Sequence, residues 1–180
     1  MKTIVVGLGN PILSDDGVGI RVAQAVRERV ADPEVEFLEA SLGGLRLAEQ
    51  LEGYDRVILV DAIQTRGQGS PSGGGQPGAI YRLTLDDIPS YNADGAHDAS
   101  LKTALQLIRQ QGGKTPDADA VAVVAIEAVN MLDFGETLTP QVEAAIPAAV
   151  QAVLDELGKT YPCHSERPFG FAQGRREESL

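Results

Sequence analysis

Three side chains in separate parts of the chain, Asp16, Asp61 and His97, are of the types that bind a metal cation. A transition metal accepts imidazole together with carboxylates, and three protein ligands leave a coordination position open. Each residue also has a simpler explanation. Asp16 could be a first-turn acid of a helix, Asp61 a strand-end residue that binds a turn amide, and His97 a solvated loop residue. Considered together, the three residues predict a cation site with two oxygen ligands and one nitrogen ligand.

The stretch GLGNPILSDDGVG, residues 7–19, supports two opposed interpretations. Its first two glycines fit the opening of the dinucleotide-binding pattern G-x-G-x-x-G, but Ile12 stands at the third glycine position. Asp15 and Asp16 precede a predicted helix at the point where a pyrophosphate would bind. Their negative charge favours the helix dipole and disfavours a phosphate, so dinucleotide binding is a poor fit.

The first five residues of that stretch, GLGNP, also resemble the opening of the bacterial peptidyl-tRNA hydrolases. In that family a glycine and a segment with Asn and His follow soon after, whereas here the chain continues as ILSDDGVG. The formal net charge of −11 further disfavours tRNA, other nucleic acids and anionic membrane surfaces as partners. A peptidyl-tRNA hydrolase is therefore a weak alternative.

Composition indicates a globular cytoplasmic protein without membrane insertion. The sequence has no apolar run long enough to span a bilayer, and MKTIVV at its start lacks the features of a targeting signal. The lone cysteine, Cys163, excludes a disulfide framework, a cysteine-rich metal site and a Cys-His catalytic pair near the motifs. His164 lies beside it in a segment without periodicity, and we set it aside as a ligand.

The elements that must position these side chains alternate between strand and helix patterns, which predicts an α/β fold. Residues 64–78 are rich in Gly, Ser and Pro and are too polar for a crossover helix, so the strand after them is predicted to be antiparallel. We expect a three-layer α-β-α sandwich around a five-stranded, mostly parallel sheet. The predicted strands are 3–7, 35–40, 55–62, 79–85 and 119–128, and the predicted helices are 15–30, 43–54, 101–112 and 139–157.

The last predicted helix and the segment after it set the expected limit of the domain. Thr139 and Pro140 are typical of an N-cap followed by proline at N1, and Pro147 is expected to kink or break the helix. After Gly158 the apolar periodicity ends. The sequence therefore predicts one domain over 1–158 and a poorly ordered tail over 159–180.

This arrangement predicts where the three candidate ligands meet. In an open α/β sheet, ligands bind beyond the carboxyl ends of the parallel strands. Asp16 follows the first predicted strand, Asp61 ends the third, and His97 precedes the helix that begins at residue 101. We therefore expect the three side chains to converge on one cleft.

Several segments, in this order, resemble the hydrogenase maturation endopeptidases over roughly residues 1–158. They are GLGNPILSDDGVGIRVAQAV, VILVDAIQ, GAHDASLKTAL, and IEA with the later LTPQVEAAIPAAVQAVLDEL. The resemblance implies a protease that trims the C-terminal extension of a nickel–iron hydrogenase large-subunit precursor after nickel has been inserted. In that family an acid before the first helix, an Asp ending the third strand and a loop His contact the metal. They correspond here to Asp16, Asp61 and His97.

The resemblance implies nickel as the metal, carried by the substrate precursor, and metal-assisted peptide hydrolysis as the reaction class. The first acid is often Glu in the family; here it is Asp16, and the adjacent Asp15 could compete for its place. The catalytic residues stay unassigned, with Asp16, Asp61 and His97 as candidates. A non-enzymatic alternative is a nickel-binding chaperone or sensor that uses the same ligands.

Overall fold

A five-stranded mixed sheet forms the centre of the computed structural model, which describes residues 1–65, 75–87 and 100–159. The strand order is β2-β1-β3-β5-β4, and β4 alone is antiparallel to its neighbour β5. The prediction of one antiparallel strand is thus confirmed. The strands are β1 (Thr3–Leu8), β2 (Val35–Ala40), β3 (Arg56–Ile63), β4 (Ile80–Thr84) and β5 (Val121–Glu127).

Within the described ranges, four helices cover the two faces of the sheet and complete the predicted three layers. They are α1 (Val18–Arg27), α2 (Gly44–Gln50), α3 (Leu101–Gln110) and α4 (Pro140–Leu157). One apolar core lies between the sheet and α1 with α4, and a second lies between the sheet and α2 with α3. Short 3-10 turns, Ser14–Gly17 and Ala118–Ala120, precede α1 and β5. None of the described helices has both the length and the apolar character to cross a membrane.

Helix α4 differs from the sequence-based expectation in two details. It runs as one helix through Pro147, without the expected break. Val142 and Val150, on either side of this proline, are fully buried in the same core, so packing holds the helix together where a backbone hydrogen bond is missing. Thr139 stands at the predicted N-cap and Pro140 at the start of the helix, but the Thr139 side chain makes no capping hydrogen bond.

The topology places the loop after β1 beside the carboxyl end of β3. The chain moves from β1 to β2 on one side, whereas β3 pairs with β1 on the other. The strand order therefore reverses between β1 and β3. This is the switch point at which open α/β sheets form a ligand-binding crevice.

Helix α1 packs unusually close to this switch point at Gly19. A Cβ added to Gly19 would lie 2.3 Å from the carbonyl oxygens of Leu8 and Val60, which are backbone atoms of β1 and β3. We expect Gly19→Ala to lower the free energy of unfolding by about 3 kcal/mol, since backbone cannot move aside cheaply. Urea unfolding measures the change.

The matched control for this substitution is Gly43→Ala. Gly43 precedes α2 with a negative φ of −126°, and a Cβ there would meet nothing within 4 Å. The control is expected to change the free energy of unfolding by less than about 0.5 kcal/mol. Equal stabilities for the two variants would contradict the close packing of α1 on the sheet.

Candidate functional site at the carboxyl edge of the sheet

Asp16 lies in the 3-10 turn that joins the end of β1 to α1, and its side chain is half-buried. Its Oδ2 accepts a hydrogen bond of 2.6 Å from the backbone N–H of Asn10. Gly9 has a φ of +128°, and a Cβ there would lie 1.8 Å from the Asp16 carbonyl oxygen. Only glycine therefore allows the turn to fold back against the end of β1. The glycine of this stretch shapes the turn that presents the acid.

Asp61 lies on β3 two residues before the strand ends at Ile63, so it does not end the strand as the sequence predicted. Val60 and Ala62 pack in the core with α1 and α4, so strand alternation directs the Asp61 side chain to the opposite face. Its Oδ1 accepts a hydrogen bond of 2.8 Å from the N–H of Ala62.

The environment of Asp61 disfavours its negative charge. The pKa of the Asp61 carboxyl is raised to about 7, mainly because the group is buried. The hydrogen bond from the Ala62 N–H lowers this pKa, and the nearby negative charge of Asp16 raises it further. Asp16 and Asp61 are thus close enough to interact electrostatically at one edge of the sheet. A carboxyl with a strongly raised pKa beside a second acid in a crevice is a candidate functional group.

The two carboxylates are chemically suited to a cation. Among the described residues, the second oxygen of each carboxyl group accepts no hydrogen bond. A divalent cation between them would offset the burial of the Asp61 charge, which is the main cause of its raised pKa, and the smaller repulsion from Asp16. No group of three or more His, Cys, Asp or Glu side chains that could hold a metal is present in the described ranges, and His97 lies outside them.

The adjacent acid, Asp15, points away from this pair and is fully buried. Its Oδ2 accepts hydrogen bonds of 2.9 Å from the N–H groups of Val129 and Asn130 and from the hydroxyl of Thr139. Its Oδ1 accepts a bond of 2.6 Å from the Thr139 N–H. Asp15 therefore fastens the turn before α1 to the segment between β5 and α4, whereas Asp16 is the acid whose charge acts on Asp61.

A third carboxylate at the same edge was missed by sequence reasoning. Glu127 ends β5 and is only 1% exposed. Its Oε1 accepts hydrogen bonds of 3.0 Å from the Thr65 N–H and 2.9 Å from the Thr65 hydroxyl, which fixes the chain that leaves β3. The sequence carries a usable signal, because Glu127 follows an uninterrupted apolar run, as Asp61 does.

The raised pKa of Asp61 predicts a pH-dependent cost to stability. A carboxyl whose pKa rises from its ordinary value of 3.8 to about 7 on folding stabilises the fold at low pH, and this contribution is lost as pH rises towards 7. The substituted asparagine carries no charge at either pH, so we expect Asp61→Asn to be more stable than wild type at pH 8.5. With partial solvent screening allowed for, this gain in the free energy of unfolding should be about 1–2 kcal/mol larger at pH 8.5 than at pH 5.

Urea unfolding at both pH values measures this difference, and Glu49→Gln on the exposed side of α2 is the control. The control is expected to show the same small difference from wild type at both pH values. A stability gain for Asp61→Asn that does not depend on pH would contradict the assignment.

These features define a class of protein: an α/β fold with two electrostatically coupled carboxylates at the switch point of its sheet. Residues 20–156 match the model of the family described as hydrogenase maturation protease. The chain belongs to the hydrogenase maturation protease family, as its resemblance to these endopeptidases predicted.

Characterised relatives agree with this assignment. The chain is 29% identical over 160 residues to hydrogenase 2 maturation protease of Escherichia coli K12, covering 87% of this chain and 91% of the relative. It is 30% identical over 167 residues to coenzyme F420 hydrogenase subunit delta of Methanothermobacter thermautotrophicus, covering 87% and 95%.

Solved structures show the same fold. The hydrogenase maturating endopeptidase HybD from E. coli superposes with a TM-score of 0.68 at 28% identity, covering 87% of this chain and 92% of that one. An endopeptidase from E. coli solved in solution has a TM-score of 0.65 at 25% identity, covering 93% and 100%.

Proposed function

We propose that this protein is an endopeptidase that removes the C-terminal extension of a nickel-loaded [NiFe]-hydrogenase large-subunit precursor. Membership of the hydrogenase maturation protease family supports a hydrogenase as the partner. The observation that carries the site is the buried Asp61 carboxyl at the carboxyl edge of the sheet, with the Asp16 carboxylate of the turn after β1 near enough to act on it. A peptide chain that brings a bound cation to this edge would be held where two carboxylates converge.

In this proposal nickel belongs to the substrate, and Asp16, Asp61 and His97 contact it. Carboxylate and imidazole are suitable ligands for a borderline transition metal. Nickel supplies Lewis acidity, which polarises a carbonyl or activates water. Since the pKa of Asp61 is about 7, this carboxyl is partly protonated at neutral pH, and arrival of the cation displaces its proton.

The experiment that tests this function uses the precursor with and without nickel. Purified protein is incubated with each form, and intact-mass measurement reports the C-terminus of the large subunit. We expect the nickel-loaded precursor to lose one defined C-terminal peptide and the nickel-free precursor to stay intact. Tight association with the loaded precursor without any loss of mass would instead identify a nickel-binding chaperone or sensor. The same mass for both forms and no association would overturn the proposal.

A further inference from the structure

The carboxyl edge of the sheet carries a concentration of exposed apolar side chains. Among the described residues, eight large hydrophobic side chains are exposed, and six of them lie in the segments that follow β1, β2 and β5. The other two are Met1, before β1, and Leu107, on α3. We call the six the apolar rim: Ile12, Leu42, Leu45, Val129, Leu132 and Phe134.

Two members of the apolar rim are almost fully in solvent. Leu132 is 84% exposed and Phe134 is 85% exposed. Large apolar side chains that cluster on one surface mark an interaction site more often than isolated ones do. Aromatic side chains in particular are frequent anchors at the centre of protein interfaces.

Hydrogen bonds fix the apolar rim to the turn that carries Asp16. The Gly135 N–H donates to the Ile12 carbonyl at 3.0 Å, and the Ser14 N–H donates to the Gly135 carbonyl at 2.7 Å. The Ser41 hydroxyl donates to the Gly9 carbonyl at 2.7 Å. With the buried Asp15 carboxylate holding the segment after β5, Leu132 and Phe134 are presented from a braced loop and not from a free one.

We propose that the apolar rim is the docking surface for the folded body of the hydrogenase precursor. This inference rests on the proposed function, because a scissile bond that reaches Asp16 and Asp61 brings its protein against this edge. The rim draws on three separate segments, a spread that suits a protein partner, which covers about 800 Å² of each surface, better than a short extended peptide.

The charge of the rim adds to the description of the partner. Asp133 and Glu136 are exposed in the same loop as Leu132 and Phe134, and the chain as a whole carries a formal net charge of −11. Complementarity then favours a precursor face that is apolar at its centre and basic at its margin. A second copy of this acidic chain fits poorly, because it would repel the first and would also cover the crevice that the substrate needs.

The test measures binding separately from cleavage. Nickel-loaded precursor is immobilised, and its affinity is compared for wild type, the double variant Leu132→Ser with Phe134→Ser, and the control Leu107→Ser. Leu107 is also exposed, at 42%, but lies on α3, outside the rim. We expect the double variant to bind at least about tenfold more weakly and the control to bind as wild type does, with circular dichroism melts showing that both are folded.

Three outcomes would overturn the docking proposal: unchanged affinity of the double variant, an equal loss in the Leu107→Ser control, or no binding by wild type. Analytical ultracentrifugation could give a fourth contradicting outcome. If wild type sedimented as a dimer and the double variant as a monomer, the apolar rim would be the contact surface for a second copy of the chain. Binding by wild type that weakens in the double variant, but without cleavage, would support the docking surface while overturning the proposed proteolysis. The two proposals can therefore fail independently.

Discussion

Asp16→Asn and His97→Ala are expected to reduce processing of the nickel-loaded precursor by at least about 100-fold, since loss of even an outer-shell metal partner commonly costs 10–100-fold. In Asp16→Asn the side-chain amide would keep the shape of the carboxylate and could still accept the hydrogen bond from the Asn10 N–H. It would lose the negative charge that attracts the cation. His97 is the imidazole that the sequence places near the motifs, and only neutral imidazole binds metal.

The readout for these two variants is the mass of the large subunit over time, with thermal melts as the folding control. We expect the free energy of unfolding of both variants to lie within about 1 kcal/mol of wild type, because Asp16 is only half-buried and the sequence around His97 predicts a polar loop. Cleavage at the wild-type rate by both variants would place the metal contact elsewhere in the protein. Loss of cleavage together with loss of folding would also contradict a purely chemical role.

Asp15→Asn is expected to act on stability, in contrast to its neighbour. The asparagine amide has one acceptor oxygen, so one set of donors around Asp15 would face an NH₂ group instead. Losing charge-assisted bonds and leaving a buried donor unpaired should lower the free energy of unfolding by about 3–5 kcal/mol. Urea unfolding measures the change, and any loss of processing should follow the unfolded fraction.

Asp133→Asn is the matched control for Asp15→Asn, because it lies in the segment that Asp15 fastens but is exposed. Its Oδ2 accepts one bond, from the Asn130 side chain, so the expected change in the free energy of unfolding is below about 0.5 kcal/mol. If Asp15→Asn were stable but inactive while Asp16→Asn stayed active, the site would be wrong by one residue.

The sequence by itself determined the layers of the fold and the edge at which the acids lie. Apolar runs at β3 and β5 and the valine stripe of α1 are local patterns with the periods of strand and helix. The polar segment before β4 indicated the antiparallel strand for a similarly local reason. Asp16 and Asp61 could be placed at one edge because parallel strands all present their carboxyl ends to the same side.

Tertiary structure decided which of two adjacent acids is bound up in hydrogen bonds and which one acts on Asp61. Asp15 and Asp16 are the same residue type at consecutive positions, and no local pattern separates them. They are separated by donors from Val129 and Thr139, more than one hundred positions along the chain. The Thr139 hydroxyl donates to the Asp15 carboxylate and makes no capping hydrogen bond, although its position in the sequence predicted a cap.

Three further features are decided in the same way: the raised pKa of Asp61, the burial of Glu127 at the end of β5, and the exposure of six apolar side chains in the segments after β1, β2 and β5. Each depends on how segments remote in sequence come together at the carboxyl edge. A periodic pattern records only what a residue's own helix or strand requires, whereas burial, charge coupling and hydrogen bonding depend on neighbours that the fold alone supplies.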